Sequence, residues 1–204
     1  MIVKVCGLRE ADNIRAVEQT GADWLGFIFY PRSPRFVPAR PSYLPEKALR
    51  VGVFVSPRFG EVMARVAEFG LQAVQLHGEA APELCRKLRE TGLRIIRALP
   101  ADERLALTTH PYLDCTDHFL FDTPTAAHGG SGESFDWSLL QRYTGHVPFI
   151  LSGGIGPQSL PALLTLSHPA WQGVDLNSRF ETAPGVKDAA AIQQFIQQLH
   201  HSTL

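Results

Sequence analysis

The sequence predicts an α/β protein, a compact single-domain (βα)8 TIM barrel that spans residues 1–204. Eight short apolar runs alternate along the chain with segments of helical periodicity, and 45% of the residues are hydrophobic, which is enough for a large core. Right-handed strand–helix–strand crossovers lead either to an open doubly wound sheet or to a closed barrel. The count of eight favours the barrel, and the lack of a linker, repeat or low-complexity segment favours one domain.

Eight segments are predicted as strands because they are short, apolar and mostly β-branched or aromatic. They do not alternate cleanly between polar and apolar positions, which is typical of parallel strands covered on both faces. The predicted strands are Ile2–Val5, Trp24–Phe29, Arg50–Val55, Ala73–Leu76, Arg94–Leu99, His118–Phe121, Pro148–Leu151 and Gly173–Leu176.

Helices are predicted between the strands from apolar residues spaced three and four apart. The helices after the second, fifth and sixth strands are predicted mainly from the alternation of elements. The clearest stripes are Val62–Val66–Phe69, Leu84–Leu88 and Ile192–Phe195–Ile196–Leu199.

Several boundaries carry helix start and stop signals. Gly21, Gly70 and Gly92 each follow a helical run and precede a strand, as C-terminal capping glycines do. Pro82 suits the first turn of a helix. The stretch 31–45 holds five prolines and is predicted to be a stiff loop on the active face, since it lies between the second and third strands.

Composition argues against several classes of protein. The formal net charge is −1 and the pI is about 6.7, so a basic face for nucleic acid is not predicted. The N-terminus does not resemble a signal peptide, and no apolar run approaches the roughly 18 residues needed to span a bilayer. Three scattered cysteines indicate reduced thiols, which predicts a cytoplasmic protein. Without a spanning segment, contact with a membrane is not predicted. Monomer and homodimer both remain open.

One rim of the predicted barrel collects the chemically active side chains. Every strand of a (βα)8 barrel ends at the same face, where the active site lies. Cys6, His77 and Asp122, together with Gly153 and Gly154, directly follow strands. We therefore expect them to converge.

The loop after the seventh strand is predicted to bind phosphate. Gly153 and Gly154 let backbone N–H groups approach an anion, and a helix is predicted to start at residue 157 or 158. Barrels often bind phosphate between the loops after strands seven and eight, and the latter offers Asn177, Ser178 and Arg179. The alternative is that the glycines only form a tight turn.

Cys6 and Asp122 form a candidate base and acid pair. Each has a simpler alternative, because a free cysteine is usually a buried apolar residue and a carboxyl after a strand often caps a helix. Cys85 is predicted to be such a buried residue, and Cys115 is given no role. The long loop 123–135, with glycines at 129, 130 and 132, is typical of a lid.

Arg35 and His77 are candidates for substrate binding. Arg35 lies in the stiff proline-rich loop, which suits recognition of a carboxylate, although a solvated surface arginine is the simpler reading. His77 is either a hydrogen-bonded rim residue or a substrate contact. No two histidines combine with a carboxylate at the spacing of a metal site, so no metal is predicted.

A series of short motifs, in this order and at these spacings, resembles the phosphoribosylanthranilate isomerase family of tryptophan biosynthesis. The resemblance spans almost the whole chain. The motifs are Lys4-Val5-Cys6-Gly7-Leu8, Gly26-Phe27-Ile28-Phe29, Ser33-Pro34-Arg35, Gly52-Val53-Phe54-Val55, Gln75-Leu76-His77-Gly78, Phe121-Asp122, Gly129-Gly130-Ser131-Gly132, Phe135-Asp136-Trp137, Ser152-Gly153-Gly154-Ile155 and Gly173-Val174-Asp175.

The resemblance implies a cofactor-free Amadori rearrangement of N-(5-phosphoribosyl)anthranilate. By family position, Asp122 resembles the general acid that opens the ribose ring and Cys6 the general base at C2. Arg35 matches the contact to the anthranilate carboxylate, and Asp175 matches a carboxylate facing the substrate hydroxyls. One departure is Arg179, where the family usually has glycine. A residue other than glycine tolerates positive φ poorly, so the loop is either reshaped or Arg179 contributes charge instead.

Two kinds of alternative remain. One is another phosphate-binding barrel enzyme of the same pathway, such as indole-glycerol-phosphate synthase or the tryptophan synthase α subunit. The synthase would need a lysine at a strand end, whereas Lys4 points inward from a lower layer. The α subunit would need paired carboxylates, for which only Asp122 and Asp175 are available. The other alternative is a non-catalytic barrel that binds a phosphorylated ligand.

Overall fold

The computed structural model describes residues 1–123 and 136–201. Eight parallel strands form a closed barrel in the order of the sequence, so the (βα)8 prediction is confirmed. Each predicted strand is present, with ends shifted by at most a few residues. The barrel strands are β1 Ile2–Cys6, β2 Trp24–Ile28, β3 Leu49–Val55, β4 Ala73–His77, β5 Arg94–Pro100, β6 His118–Asp122, β7 Phe149–Leu151 and β8 Trp171–Leu176.

The helices are less regular than the strands. The predicted stop signals are confirmed where they were clearest: Gly70 caps its helix with a left-handed φ of 60°, and a helix begins at Pro82. The α-helices are α1 Ala11–Glu18, α2 Phe59–Phe69, α3 Pro82–Arg89, α4 Leu105–Thr109, α5 Leu160–Thr165 and α6 Ala189–His201. Short 3-10 helices cover His110–Tyr112, Trp137–Arg142, Pro157–Ser159 and Ser178–Phe180.

The helix predicted after the second strand is wrong. Residues 29–48 contain no helix, and the chain returns to the end of β2, where Val37 N–H donates to Ile28 O at 3.0 Å beside an isolated parallel bridge between Ile28 and Phe36. Five prolines explain the difference, because each lacks an N–H donor and restricts the residue before it. The helix after β5 is only five residues long, and the element before β7 is 3-10.

A two-stranded hairpin between β8 and α6 was not predicted. It consists of β9 Glu181–Ala183 and β10 Val186–Lys187, joined by Pro184 and Gly185. Gly185 has a φ of +85°, which is the conformation that a type II turn requires after proline. The hairpin brings Glu181 and Lys187 back toward the open end of the barrel.

Alternating side chains of the strands divide the core into two parts. The larger cluster lies between the barrel and the helices, and it includes the apolar stripe of α6 and Cys85, as predicted. Cys115 is also fully buried in it. The smaller cluster fills the barrel interior. Among residues 1–123 and 136–201, no helix is long and apolar enough to cross a membrane. The predicted lid, 123–135, falls almost entirely outside the described residues.

Candidate active site

One cavity at the C-terminal ends of the strands contains every candidate residue from the sequence except Arg179. Its polar lining comes from six of the eight barrel strands or the loops after them. The predicted residues that line it are Cys6, Arg35, His77, Asp122, Gly153, Gly154, Asp175, Asn177 and Ser178. Their roles stay predictions, but a thiol, a carboxyl and a glycine-rich loop do share one cavity.

Cys6 is held at the end of β1 by two glycines. Cys6 pairs with Gly26 of β2, where a Cβ atom would lie only 3.0 Å from Sγ. Gly7 follows with a φ of +83°, and a Cβ atom there would lie 2.6 Å from Cδ of Arg35. The missing side chains therefore make room both for the thiol and for an arginine that crosses the end of the strand.

A buried ion pair lies one layer below Cys6. Nζ of Lys4 donates to Oδ1 of Asp175 at 2.8 Å, because the two residues face each other across β1 and β8. Asp175 also accepts from Oγ of Ser152 at 3.3 Å. Burial works to lower the pKa of Lys4, but Asp175 and Cys6 more than offset this and the pKa is raised. Lys4 is therefore a permanent cation beneath the thiol, pointing inward as expected.

The Cys6 thiol is protonated near neutral pH. Burial raises its pKa above the ordinary value, and the charge of Asp175 acts in the same direction. Lys4 and Lys187 oppose this by favouring the thiolate. The site thus supplies two cations that stabilise a thiolate once it forms.

Asp122 is held at the end of β6 in a partly protonated state. Burial raises its pKa to about 6, and nearby Asp175 adds to the increase. The Thr123 N–H donates to Oδ1 of Asp122 at 2.9 Å and limits the shift. Gly153 packs directly against Thr123, since a Cβ atom on Gly153 would lie 2.1 Å from Oγ1 of Thr123. Asp122 therefore suits a general acid at neutral pH.

The predicted phosphate loops lie at one end of the cavity. Gly153 and Gly154 have φ values of +86° and +64°, and a 3-10 helix begins at Pro157 as expected. Arg179 is exposed, and among the described residues only Ser56 combines a side chain with positive φ. The chain after β8 is reshaped into the 3-10 helix Ser178–Phe180, so Arg179 avoids the strain anticipated for it.

Arg35 is buried and bound to a carboxylate of the protein itself. Its Nε donates to Oε1 of Glu181 at 2.8 Å and its Nη2 donates to Oε2 at 2.6 Å. Lys187 Nζ donates to the same Oε1 at 2.6 Å and to Oδ1 of Asn177 at 2.7 Å. The solvated-arginine alternative is therefore wrong, since only 8% of Arg35 is exposed.

His77 is a hydrogen-bonded residue of the cavity wall. Its Nε2 lies 2.6 Å from Nε2 of Gln75, so the amide donates to an imidazole nitrogen. Both residues line the cavity. Among the residues that the structure describes, no three His, Cys, Asp or Glu side chains are grouped so that they could hold a metal ion.

Three residues at or beside the cavity were not predicted from the sequence as site residues, namely Glu181, Lys187 and Ser152. Pro184-Gly185 was an available signal, because this dipeptide is typical of a turn and here reverses the chain between Glu181 and Lys187. Ser152 belongs to one of the family motifs, but no role was predicted for it. It lines the cavity and bonds Asp175.

Comparison with known proteins gives matches over almost the whole chain. A family model described as N-(5'phosphoribosyl)anthranilate (PRA) isomerase matches residues 3–198. The N-(5'-phosphoribosyl)anthranilate isomerase of Phocaeicola vulgatus is 52% identical over 200 residues, which cover 98% of each chain. A crystal structure of phosphoribosyl anthranilate isomerase in complex with reduced 1-(o-carboxyphenylamino)-1-deoxyribulose 5-phosphate has a TM-score of 0.79 and 32% identity, covering 98% of this chain and 100% of that one. Monomers generated from the dimeric Thermotoga maritima isomerase give a TM-score of 0.78 and 30% identity, covering 98% and 100%.

Proposed function

Because this chain belongs to the phosphoribosylanthranilate isomerase family, we propose that Cys6 and Asp122 carry out its reaction as general base and general acid. The reaction is the Amadori rearrangement of N-(5-phosphoribosyl)anthranilate to 1-(2-carboxyphenylamino)-1-deoxyribulose 5-phosphate in tryptophan biosynthesis. The observation that carries the assignment is that a buried thiol and a carboxyl with a pKa of about 6 line the same cavity.

The acid acts first. Protonated Asp122 gives its proton to the ribose ring oxygen while the C1–O bond breaks, and the nitrogen lone pair forms the Schiff base. The Cys6 thiolate then removes the proton from C2, and the electron pair moves to give the enolamine. The Cys6 thiol then returns a proton to C1 and the C2 hydroxyl gives its proton to the Asp122 carboxylate, which yields the ketone and restores both groups. The rearrangement oxidises C2 and reduces C1 of the same substrate, with protons exchanged only with Asp122 and Cys6, so we expect no cofactor to be required. Each transfer contributes roughly 10²- to 10⁴-fold in rate.

The active protonation state is the less populated one. Catalysis needs Asp122 protonated and Cys6 ionised, whereas burial gives the thiol the higher pKa. Both arrangements hold a single proton on the pair, so they depend on pH in the same way. Lys4 and Lys187 raise the share of the active arrangement by favouring the thiolate.

The remaining site residues hold the substrate between the acid and the base. Gly153, Gly154, Asn177 and Ser178 are assigned to the phosphate, and Arg35 to the anthranilate carboxylate. His77 and Asp175 are assigned to the sugar hydroxyls. Fixing both ends of the substrate would contribute mainly through orientation of C1 and C2.

The assembly and the location of the protein are part of the proposal. We expect residues 1–204 to form one domain, as a cytoplasmic monomer or homodimer. A dimeric isomerase among its structural neighbours supports the second state. The ligand is a small phosphorylated aminosugar, and neither nucleic acid nor membrane is expected as a partner.

A tryptophan auxotroph lacking this isomerase tests the function. Wild type should restore growth without tryptophan, whereas Cys6→Ser and Asp122→Asn should not. Growth with both variants would contradict the mechanism and leave room for another enzyme of the pathway or for a non-catalytic barrel. Failure of soluble wild type would contradict the function itself.

A further inference from the structure

Glu181 lies behind Arg35, just outside the cavity. Arg35 lines the cavity, whereas Glu181 is not among its lining residues. Only 5% of the Glu181 side chain is exposed, and the Gly185 N–H donates to its Oε1 at 3.0 Å. The carboxylate therefore acts on the site through Arg35 and has no surface for the substrate.

The ion pair leaves one edge of the guanidinium for a ligand. Glu181 accepts from Nε and Nη2, which form the side edge of the arginine fork. Within residues 1–123 and 136–201, Nη1 of Arg35 makes no hydrogen bond. A guanidinium has five N–H donors and can hold two carboxylates on different edges. The end edge, Nη1 with the second Nη2 hydrogen, thus stays available.

The charges of this cluster complement one further anion. Arg35 and Lys187 supply two positive charges and Glu181 supplies one negative charge, which leaves one positive charge in excess. Burial lowers the pKa of Lys187, and its bond to Glu181 opposes that shift. Without Glu181, Arg35 would lose the carboxylate that fixes its orientation, and Lys187 would lose a partner that opposes the lowering of its pKa.

We propose that Glu181 is a positioning residue that fixes the guanidinium of Arg35 so that its end edge receives the aromatic carboxylate of the substrate. This inference rests on the proposed function. It assigns to the hairpin β9–β10 a part in recognising the anthranilate end of the substrate, while the barrel strands carry the acid and the base.

The test compares two ligands on two enzymes. One ligand is reduced 1-(o-carboxyphenylamino)-1-deoxyribulose 5-phosphate, and the other is its phenylamino counterpart, which lacks the carboxylate. Glu181→Asp keeps the charge but shortens the side chain, so it removes the two-point contact to Arg35. We expect the variant to bind the first ligand about 10-fold more weakly, as for loss of one charge-assisted hydrogen bond, and the second about equally.

Matched variants separate positioning from a general loss of structure. In an Arg35→Lys background, Glu181→Asp should have little further effect on the carboxylate ligand. Glu181→Gln keeps the side-chain length and should show the same selectivity with a smaller loss, because removing its negative charge favours the ligand carboxylate. It also serves as the test if Glu181→Asp does not fold. In kinetics, KM should rise by a larger factor than kcat falls.

The outcomes distinguish this inference from the proposed function. Equal losses for both ligands, or no loss for either, would overturn the positioning role of Glu181 while wild type remained active. Wild type that neither binds the carboxylate ligand nor turns over the substrate would instead overturn the proposed function, and the positioning role with it.

Discussion

The two sides of the cavity hold their reactive side chains by different means. On one side, Cys6 and Asp122 stand at the ends of β1 and β6, where strand pairing sets their positions. On the other, Arg35 lies in the irregular segment 29–48 and is held by side-chain ion pairs from the hairpin β9–β10. On the first side, backbone pairing and burial fix the reactive side chains. On the second side, ion pairs between side chains fix them. Substitutions on the first should therefore change chemistry, and those on the second should change recognition.

The largest effect is expected at the proton-transfer pair. Cys6→Ser replaces the thiol with a much weaker acid, and Asp122→Asn removes the transferable proton. Each change should lower kcat by about 10²- to 10⁴-fold. Kd for the reduced product analogue, measured by calorimetry, should change far less. If either variant keeps the wild-type kcat, the substituted residue is not the acid or base of the reaction.

The buried ion pair between Lys4 and Asp175 should have the largest effect of these substitutions on the free energy of unfolding. Lys4→Met leaves Asp175 as an unpaired charge in the barrel, which costs about 3–5 kcal/mol of unfolding free energy. Lys4→Met combined with Asp175→Asn removes both charges and should recover most of that loss. Urea unfolding of the two variants measures the difference. If the single variant is as stable as wild type, the ion pair does not stabilise the fold.

The pH profile should identify the group that limits activity in acid. As the pH falls below the Asp122 pKa of about 6, both members of the pair are protonated and no base remains. Wild-type kcat/KM should then fall roughly 10-fold per pH unit. In Asp122→Asn only Cys6 titrates, so the residual activity should rise continuously up to the higher thiol pKa. If the activity of this variant still falls below a pH of about 6, the loss of activity in acid does not come from Asp122.

Substitutions of Gly7 and Gly21 test whether the close contact between Gly7 and Arg35 matters for binding of the substrate carboxylate. Gly7→Ala places a Cβ atom 2.6 Å from Cδ of Arg35, whereas Gly21→Ala meets nothing within 4 Å. Both residues have φ between +80° and +90°, so both variants should lose about 1 kcal/mol of stability. Only Gly7→Ala should weaken binding of the carboxylate ligand, by a few fold. Similar weakening in both would mean that backbone strain, and not displacement of Arg35, is responsible.

The sequence predicted the first side of the cavity far better than the second. A residue at the end of a buried parallel strand has its position set by alternation and by barrel closure, so Cys6 and Asp122 could be located from local pattern, whereas Asp175 was assigned through the family resemblance. Arg35 was also identified as a candidate, but its partner was not. Glu181 is 146 residues away in the sequence, and their pairing depends on how two irregular segments meet. The missing helix in 29–48 has a different origin: strand–helix alternation predicted it, whereas the five prolines correctly predicted a loop over 31–45.

The hairpin also links the two sides through a single ammonium group. Lys187 bonds Glu181 on the recognition side, and its charge favours the Cys6 thiolate on the other. An engineer who redesigns β9–β10 to accept a different aromatic group, and replaces this lysine while doing so, will also lower the fraction of Cys6 that is ionised. Selectivity and turnover in this barrel should therefore be tuned together, with Lys187 retained.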